Sequence, residues 1–147
     1  MVTVKRIEEK DLDTLAALEQ EIFSDSWSRE GLEESLSQNH ALLLGAWADD
    51  VLAGYLVFYY SPGEGEIVRI ATAESMRRKG IASHLLLELE NVCEEKEIEK
   101  LFLEVRESNE TAIEFYKSHG FTEDGLRKNF YTKPVEDAVL MSRSLGK

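Results

Sequence analysis

The residues in this sequence with the clearest chemical potential form a basic turn, Arg77-Arg78-Lys79-Gly80-Ile81-Ala82-Ser83. The turn lies between a strand-like segment that ends at Thr72 and a segment with helical periodicity. Cations at a helix start are unfavourable, because that end already carries partial positive charge and unpaired N–H groups. An anion on the turn would remove this conflict, and Gly80 and Ala82 would let the backbone approach a pyrophosphate closely. The turn therefore indicates an anion site, with a basic surface loop as the alternative.

Two further stretches accompany the basic turn. One is Leu103-Glu104-Val105-Arg106 with Ser108-Asn109 after it, and the other is Phe115-Tyr116-Lys117-Ser118-His119-Gly120-Phe121. Neither the GxGxxG loop nor the GxxxxGK loop of nucleotide-binding proteins occurs, which disfavours a kinase, an NTPase or a dinucleotide-dependent dehydrogenase. The three stretches together resemble the GNAT superfamily of acetyl-CoA-dependent N-acetyltransferases. The pyrophosphate loop of that family has its defining positions at Arg77, Gly80 and Ala82, and the resemblance covers almost all 147 residues.

Within this superfamily the sequence resembles the bacterial ribosomal-protein-alanine N-acetyltransferases (RimI-type). The resemblance implies that Glu104 is the general base and that Tyr116, twelve positions later, protonates the leaving thiolate. It implies acetyl-CoA as the co-substrate and the N-terminus of a basic ribosomal protein as the acceptor. The implied acetyl-CoA contacts are Ile70, Ala71, Thr72, Arg78, Lys79, Gly80, Ile81, Ala82, Ser83 and Asn109.

The acceptor side of the resemblance is less regular. It implies a role in acceptor binding for Trp27, Arg127 and Tyr131. Two residues depart from the family pattern: Arg69 stands where relatives often carry Asn, and Phe130 replaces the first Tyr of a Tyr-Tyr pair. These departures bear on the acceptor more than on acetyl-CoA.

The proposed chemistry also follows from the residue types. Amide formation needs a free amine, and an α-amino group with a pKa near ~7.7–8.0 is partly ammonium at neutral pH. Glu104 would remove that proton, directly or through a water. The departing CoA thiolate, with a pKa near ~8.5 by analogy with cysteine, would take a proton from Tyr116. Backbone N–H groups of the strand around Ile70 would polarise the acetyl carbonyl.

Each of these side chains also has a structural interpretation. Glu104 alternates with apolar neighbours, so it would suit the solvent face of a strand, and Tyr116 and Trp27 would suit a core. Arg127 and Tyr131 would suit an ordinary hairpin. Two functional alternatives also stay open: an acetyltransferase that acts on a small amine such as a polyamine or amino sugar, and a non-catalytic acyl-CoA-binding module. The presence of both a carboxylate and a phenol disfavours the module.

The apolar pattern predicts the elements that position these residues. The predicted strands cover residues 2–7, 41–48, 51–60, 66–72, 100–105, 121–126 and 137–145. Helices are predicted to begin after the caps Asp11 and Ser28, at Gly80, and after the cap Asn109, the third ending near residue 96 and the last at His119. Residues 61–65 and 127–136 are predicted loops, and Asp49-Asp50 a hairpin turn. The sequence thus predicts one α/β GNAT-type domain over 1–147, with a mixed sheet, antiparallel in its N-terminal part, flanked by about four helices.

The composition of the chain limits the classes of partner and the cellular location that we expect. The chain has 17 basic and 29 acidic side chains, a formal net charge of −12 that disfavours nucleic-acid binding and suits a basic partner. Its apolar runs are short for a membrane span, and its N-terminus lacks the apolar core of a signal peptide. A single cysteine, Cys93, predicts a buried structural thiol in a cytoplasmic protein. The histidines lack metal-binding spacing, so no metal is expected. The sequence predicts no particular oligomeric state.

Overall fold

The computed structural model describes residues 1–145 and has a seven-stranded sheet with helices on both faces. The strands are β1 Val2–Arg6, β2 Ala41–Ala48, β3 Val51–Ser61, β4 Glu64–Thr72, β5 Lys100–Arg106, β6 Thr122–Thr132 and β7 Val135–Ser144. The α-helices are α1 Leu12–Ile22, α2 Arg29–Ser37, α3 Ile81–Glu95 and α4 Glu110–Ser118. The predicted element order and the α/β class are confirmed.

The sheet opens at its centre. Its strand order is β1-β2-β3-β4-β5-β7-β6, and the central pair β4–β5 is parallel while the other neighbouring strands are antiparallel. β4 and β5 pair only from Glu64↔Lys100 to Ile67↔Leu103. In β4, Val68 is an extra residue in the pairing with β3, a bulge that bends the strand at this point. The carboxyl-terminal ends of the two strands therefore separate and leave a cleft.

Apolar side chains fill both faces of the sheet. On one face, Leu85, Leu89 and Cys93 of α3 pack over the central strands, and on the other Leu15 of α1 and Leu32 of α2 do so. Burial raises the pKa of the Cys93 thiol to about 11, so the thiol stays protonated and unreactive near neutral pH. The prediction that this cysteine is buried and structural agrees with its position.

Two helices begin at the N-terminal caps that the sequence predicts. The Ser28 hydroxyl accepts a 3.0 Å hydrogen bond from the Gly31 N–H at the start of α2, and Asn109 Oδ1 accepts one of 3.1 Å from the Ala112 N–H at the start of α4. Gly120 follows α4 with φ of 91°, as expected for a terminating glycine. Asp11 is different, since its carboxylate accepts from the Glu8 N–H and belongs to a short 3₁₀ turn before α1.

Two predicted loops are shorter than the sequence indicates. The connection between β3 and β4 is only Pro62-Gly63, because pairing continues to Ser61↔Glu64. Residues 127–136 lie mostly in the β6–β7 hairpin, which pairs out to Thr132↔Val135. β6 is an edge strand whose residues are nearly all exposed, so it lacks the alternation of apolar residues that marks a half-buried strand. Asn129, with φ of 50°, lies where the pairing of this hairpin is interrupted.

No helix within residues 1–145 has the length and apolar character needed to cross a membrane.

Candidate active site

The cleft between β4 and β5 contains a cavity of about 210 Å³. Its walls come from β4, β5, α4, the segment after α1 and the β6–β7 hairpin. Five of the predicted site residues line it: Ile70, Glu104, Asn109, Tyr116 and Tyr131. The separation of the two strands thus brings the predicted base and the predicted acid into one cavity.

Glu104 enters this cavity from β5 with an unsatisfied carboxylate. Its side chain is 18% exposed, but Oε2 is buried and makes no hydrogen bond with any group in residues 1–145. Nη1 of Arg127 lies 3.3 Å from this oxygen in an ion pair. The Arg127 side chain is 56% exposed, so water weakens the attraction. The negative charge of Glu104 is therefore only weakly compensated.

Tyr116 combines a core position with access to the cavity. The residue is 6% exposed, and its ring makes edge contacts with Phe115 and Phe121 at centroid distances of 5.4 Å and 5.5 Å. Burial, with a smaller effect of Tyr131, raises the pKa of its phenol. The hydroxyl therefore remains protonated at neutral pH, as a proton donor must. Tyr116 is therefore a core residue that also lines the cavity.

The basic turn lies beyond the carboxyl end of β4, outside the cavity itself. Gly80 is the N-terminal cap of α3 in the left-handed conformation, with φ of 75°. Across residues 1–145 no side chain caps this helix start, and its first turn carries no acidic residue. Arg77, Arg78 and Lys79 are exposed beside it. Uncapped N–H groups next to cations form the kind of site that binds phosphate groups.

Other predicted acetyl-CoA contacts differ in their placement. Ile70 lines the cavity, whereas the Ala71 side chain packs into the core on the α1 and α2 side. Ile81 is buried and anchors the start of α3. The Ser83 hydroxyl lies 3.0 Å from Nε2 of His119, which joins the start of α3 to the end of α4. Thr72 and Ala82 are half-buried near the basic turn.

The wall opposite α4 is built on a buried carboxylate that the sequence does not single out. Glu19 of α1 is fully buried and accepts hydrogen bonds from the Tyr55 hydroxyl, from Nη2 of Arg69, and from the Trp27 N–H at 2.9 Å. Burial, then the hydrogen bond to Glu19, raises the pKa of Tyr55. The available signal is helical spacing, since Glu19 is four residues after Leu15 on the apolar face of α1.

Arg69 is held by this carboxylate and lines the cavity. Its guanidinium carbon lies 3.7 Å from the ring centroid of Phe23 and 4.4 Å from that of Trp27. Trp27, a predicted acceptor-site residue, thus packs against Arg69 instead of lining the cavity. It contacts the cavity wall through Arg69.

The β6–β7 hairpin closes the cavity on the remaining side. The Arg106 guanidinium lies 4.3 Å from the centroid of the Tyr131 ring and donates to Glu136 at 3.2 Å. Glu136 also accepts a 2.6 Å hydrogen bond from the Ser108 N–H. The bond to Ser108, followed by that to Arg106, holds the pKa of the Glu136 carboxyl below its usual value. These contacts fix Tyr131 beside the cavity.

Comparisons with known proteins agree with this architecture. Residues 12–121 match the model of the acetyltransferase (GNAT) family. The chain is 31% identical to a ribosomal protein bS18-alanine N-acetyltransferase of Salmonella typhimurium, with 97% of each chain covered. It is 30% identical to the N-alpha-acetyltransferase RimI of Mycobacterium tuberculosis, with 99% of this chain and 94% of the relative covered.

A solved structure extends the comparison to three dimensions. The crystal structure of the ribosomal-protein-S18-alanine N-acetyltransferase from Escherichia coli superimposes with a TM-score of 0.92 at 28% identity, over 100% of this chain and 96% of the other. The chain therefore has the fold of a solved acetyltransferase. The chain belongs to the GNAT family of acetyltransferases.

Proposed function

We propose that this protein transfers the acetyl group of acetyl-CoA to the N-terminal α-amino group of a basic ribosomal protein whose first residue is small, such as alanine. One observation carries the proposal: a buried, unsatisfied carboxylate oxygen of Glu104 and the protonated hydroxyl of Tyr116 belong to the same cavity. Relatives named as ribosomal protein bS18-alanine N-acetyltransferases support the choice of acceptor.

The residues available for acetyl-CoA fit its chemistry. The N–H groups at the start of α3 have no side-chain cap within residues 1–145, and Arg78 and Lys79 add positive charge beside them, which suits a pyrophosphate. The turn from Arg78 to Ser83 would hold the pyrophosphate, and Ile70, Ala71, Thr72 and Asn109 would hold the rest of the acyl carrier. Acetyl-CoA supplies the activated acetyl group.

The reaction needs three contributions from the chain. Within residues 1–145, the edge of β4 that faces β5 has no strand partner after Ile67, so its backbone N–H groups are available to polarise the acetyl carbonyl. Glu104 takes a proton from the acceptor ammonium, and the free amine forms the new C–N bond as the C–S bond breaks, with the second proton of the nitrogen passing to solvent. Tyr116 donates its hydroxyl proton to the departing sulfur and recovers one from solvent.

The acceptor pocket is small and bounded by charge. Phe23, Asp25, Arg69 and Tyr131 line the cavity on the side away from α4. Because Ile70 and Asn109 line the same cavity of about 210 Å³, the acetyl group must share it, and the space that remains suits a short first side chain. The net charge of −12 would speed encounter with an acceptor whose following residues are basic.

We expect a peptide that begins with alanine and continues with basic residues to be acetylated with a kcat/KM roughly 100-fold or more above that of spermidine. Its kcat/KM should fall as salt rises, because screening shortens to ~8 Å at 0.15 M ionic strength. Steady-state kinetics over a salt series measures both effects. The control is an alanine-first peptide of neutral sequence, which should respond little to salt. A higher kcat/KM for spermidine or an amino sugar would contradict the protein acceptor.

Gly80→Val is expected to weaken acetyl-CoA binding by roughly tenfold or more, equivalent to ~1.4 kcal/mol. The reason is that a β-branched residue in the left-handed conformation distorts the turn and blocks backbone approach to the pyrophosphate. Calorimetric titration with acetyl-CoA measures the affinity. Gly63→Val is the matched control, because Gly63 also has positive φ, 84°, but lies in the β3–β4 turn. Equal acetyl-CoA affinity in the two folded variants would contradict the phosphate site.

A further inference from the structure

A second carboxylate lies beside the proposed base. β4 and β5 are parallel, and their register places Glu66 opposite Phe102. Glu104 is two residues beyond Phe102 on β5, so Glu66 and Glu104 project from the same face of the sheet. The last paired residues, Ile67 and Leu103, lie between them, at the point where the strands begin to separate.

The two carboxylates compete for one weak counter-charge. The nearest cation to Glu104 is Arg127, whose Nη1 is 3.3 Å from Oε2 but whose side chain is more than half exposed. Oε2 itself makes no hydrogen bond within residues 1–145. Partial burial raises the pKa of Glu66, and the negative charge of Glu104 raises that pKa further. Neighbouring like charges with so little compensation favour sharing a proton.

Glu66 also connects the cleft to solvent. It lines a second, open cavity of about 400 Å³, whose other lining residues come mainly from β3 and β4. Besides Glu104 and Arg127, the titratable groups around it are His40, the β3 residues Tyr59 and Tyr60, and Glu64 on its own strand. Glu66 is itself exposed. A proton on Glu66 therefore has a direct path to water, whereas one on buried Oε2 of Glu104 does not.

We propose that Glu66 and Glu104 accept protons as one carboxylate pair, in which Glu66 is a positioning residue that acts through Glu104 and passes protons to solvent. The inference rests on the proposed function. Conversion of an ammonium to an amide removes two protons from nitrogen. The first moves to Glu104 before the C–N bond forms and leaves through Glu66, and the second follows as the C–S bond breaks. Tyr116 gives one proton to sulfur and regains one from water, so each turnover releases one proton.

The kinetic test compares Glu66→Gln with Glu64→Gln in single-turnover reactions of an alanine-first basic peptide at saturating acetyl-CoA. Removal of a neighbouring negative charge lowers the pKa of the remaining carboxylate and makes it a weaker base. Glu66→Gln should therefore lose roughly tenfold in rate near pH 7, with the acid limb of the pH profile about one unit lower. Glu64→Gln removes the same charge from the same strand and cavity, and it should change neither the rate near pH 7 nor the acid limb of the pH profile. Glu66→Asp keeps the negative charge, so the acid limb of its pH profile should stay near the wild-type position.

A second measurement is independent of turnover. Carbon NMR titration of the side-chain carboxyls should show the pKa of Glu66 falling when Glu104 is replaced by Gln. Unchanged titration of Glu66 in that variant, or kinetics of Glu66→Gln that match those of Glu64→Gln, would overturn the pair while the proposed function stands. If the wild-type enzyme acetylates no peptide N-terminus, the proposed function fails, and the titration still decides whether the pair exists.

Discussion

Glu104→Gln is expected to lower the single-turnover rate of acetyl transfer by ~10²–10⁴-fold near pH 7 and to recover part of that loss as the pH rises. The amide cannot accept the proton that buried Oε2 is placed to take. Above the acceptor's pKa of ~7.7–8.0 the amine is already free, so the base matters less. Rapid-quench measurements from about pH 6 to about pH 9.5 give the rate of the chemical step without the product release that limits many steady-state rates.

The matched control for this variant is Glu107→Gln. Glu107 is exposed just after β5, so its substitution removes the same charge close by but outside the cavity. Its rate should stay near that of the wild type at every pH. A loss in Glu104→Gln that is constant across the pH range would contradict a base role and would point to a structural effect of the substitution.

Tyr116→Phe is expected to lose ~10²–10⁴-fold in the same single-turnover rate, with no recovery at high pH. The variant removes a proton donor, and a higher pH supplies none. Because the raised pKa keeps the wild-type phenol protonated, the wild-type rate should also show no loss that follows phenol ionisation up to about pH 9.5. Calorimetric titration should give nearly unchanged acetyl-CoA affinity.

Tyr60→Phe is the control for the loss of a phenolic hydroxyl. The Tyr60 hydroxyl donates to the Asn39 carbonyl at 3.3 Å, away from the cleft, so the rate should be unaffected. Near-wild-type rates in both Glu104→Gln and Tyr116→Phe would show that neither residue carries proton transfer. The enzyme would then rely on positioning and backbone polarisation alone.

The sequence predicts the parts of this fold that depend on local chemistry. Ser28 and Asn109 cap their helices because a short polar side chain reaches an N–H group three residues away. The opening between β4 and β5 depends instead on where two strands distant in sequence stop pairing. No local pattern marks the extra residue Val68, although this bulge helps to shape the cleft. Residues 127–132 of the edge strand β6 are predicted as loop for a related reason, since little of this strand is buried.

The same distinction applies to the site. Glu104 and Tyr116 are predicted because their spacing follows the pattern of the GNAT family. The topology then brings both residues into the cleft. Glu19 is not predicted, because its partners Tyr55 and Arg69 are 36 and 50 residues away. Glu66 is likewise placed beside Glu104 only by the register of β4 with β5. Residues that support or extend a site are found through long-range pairing, which one sequence does not display.

The most direct test of the acetyltransferase assignment is mass spectrometry of the N-termini of a ribosomal-protein mixture after incubation with the purified protein and acetyl-CoA. Spermidine is included in the same reaction as a competing acceptor. We expect the acetyl group on the α-amino nitrogen of a protein that begins with a small residue and continues with basic ones, and Glu104→Gln should leave that N-terminus largely unmodified near pH 7. Acetylation confined to spermidine or to lysine side chains, with every protein N-terminus unchanged, would contradict the account.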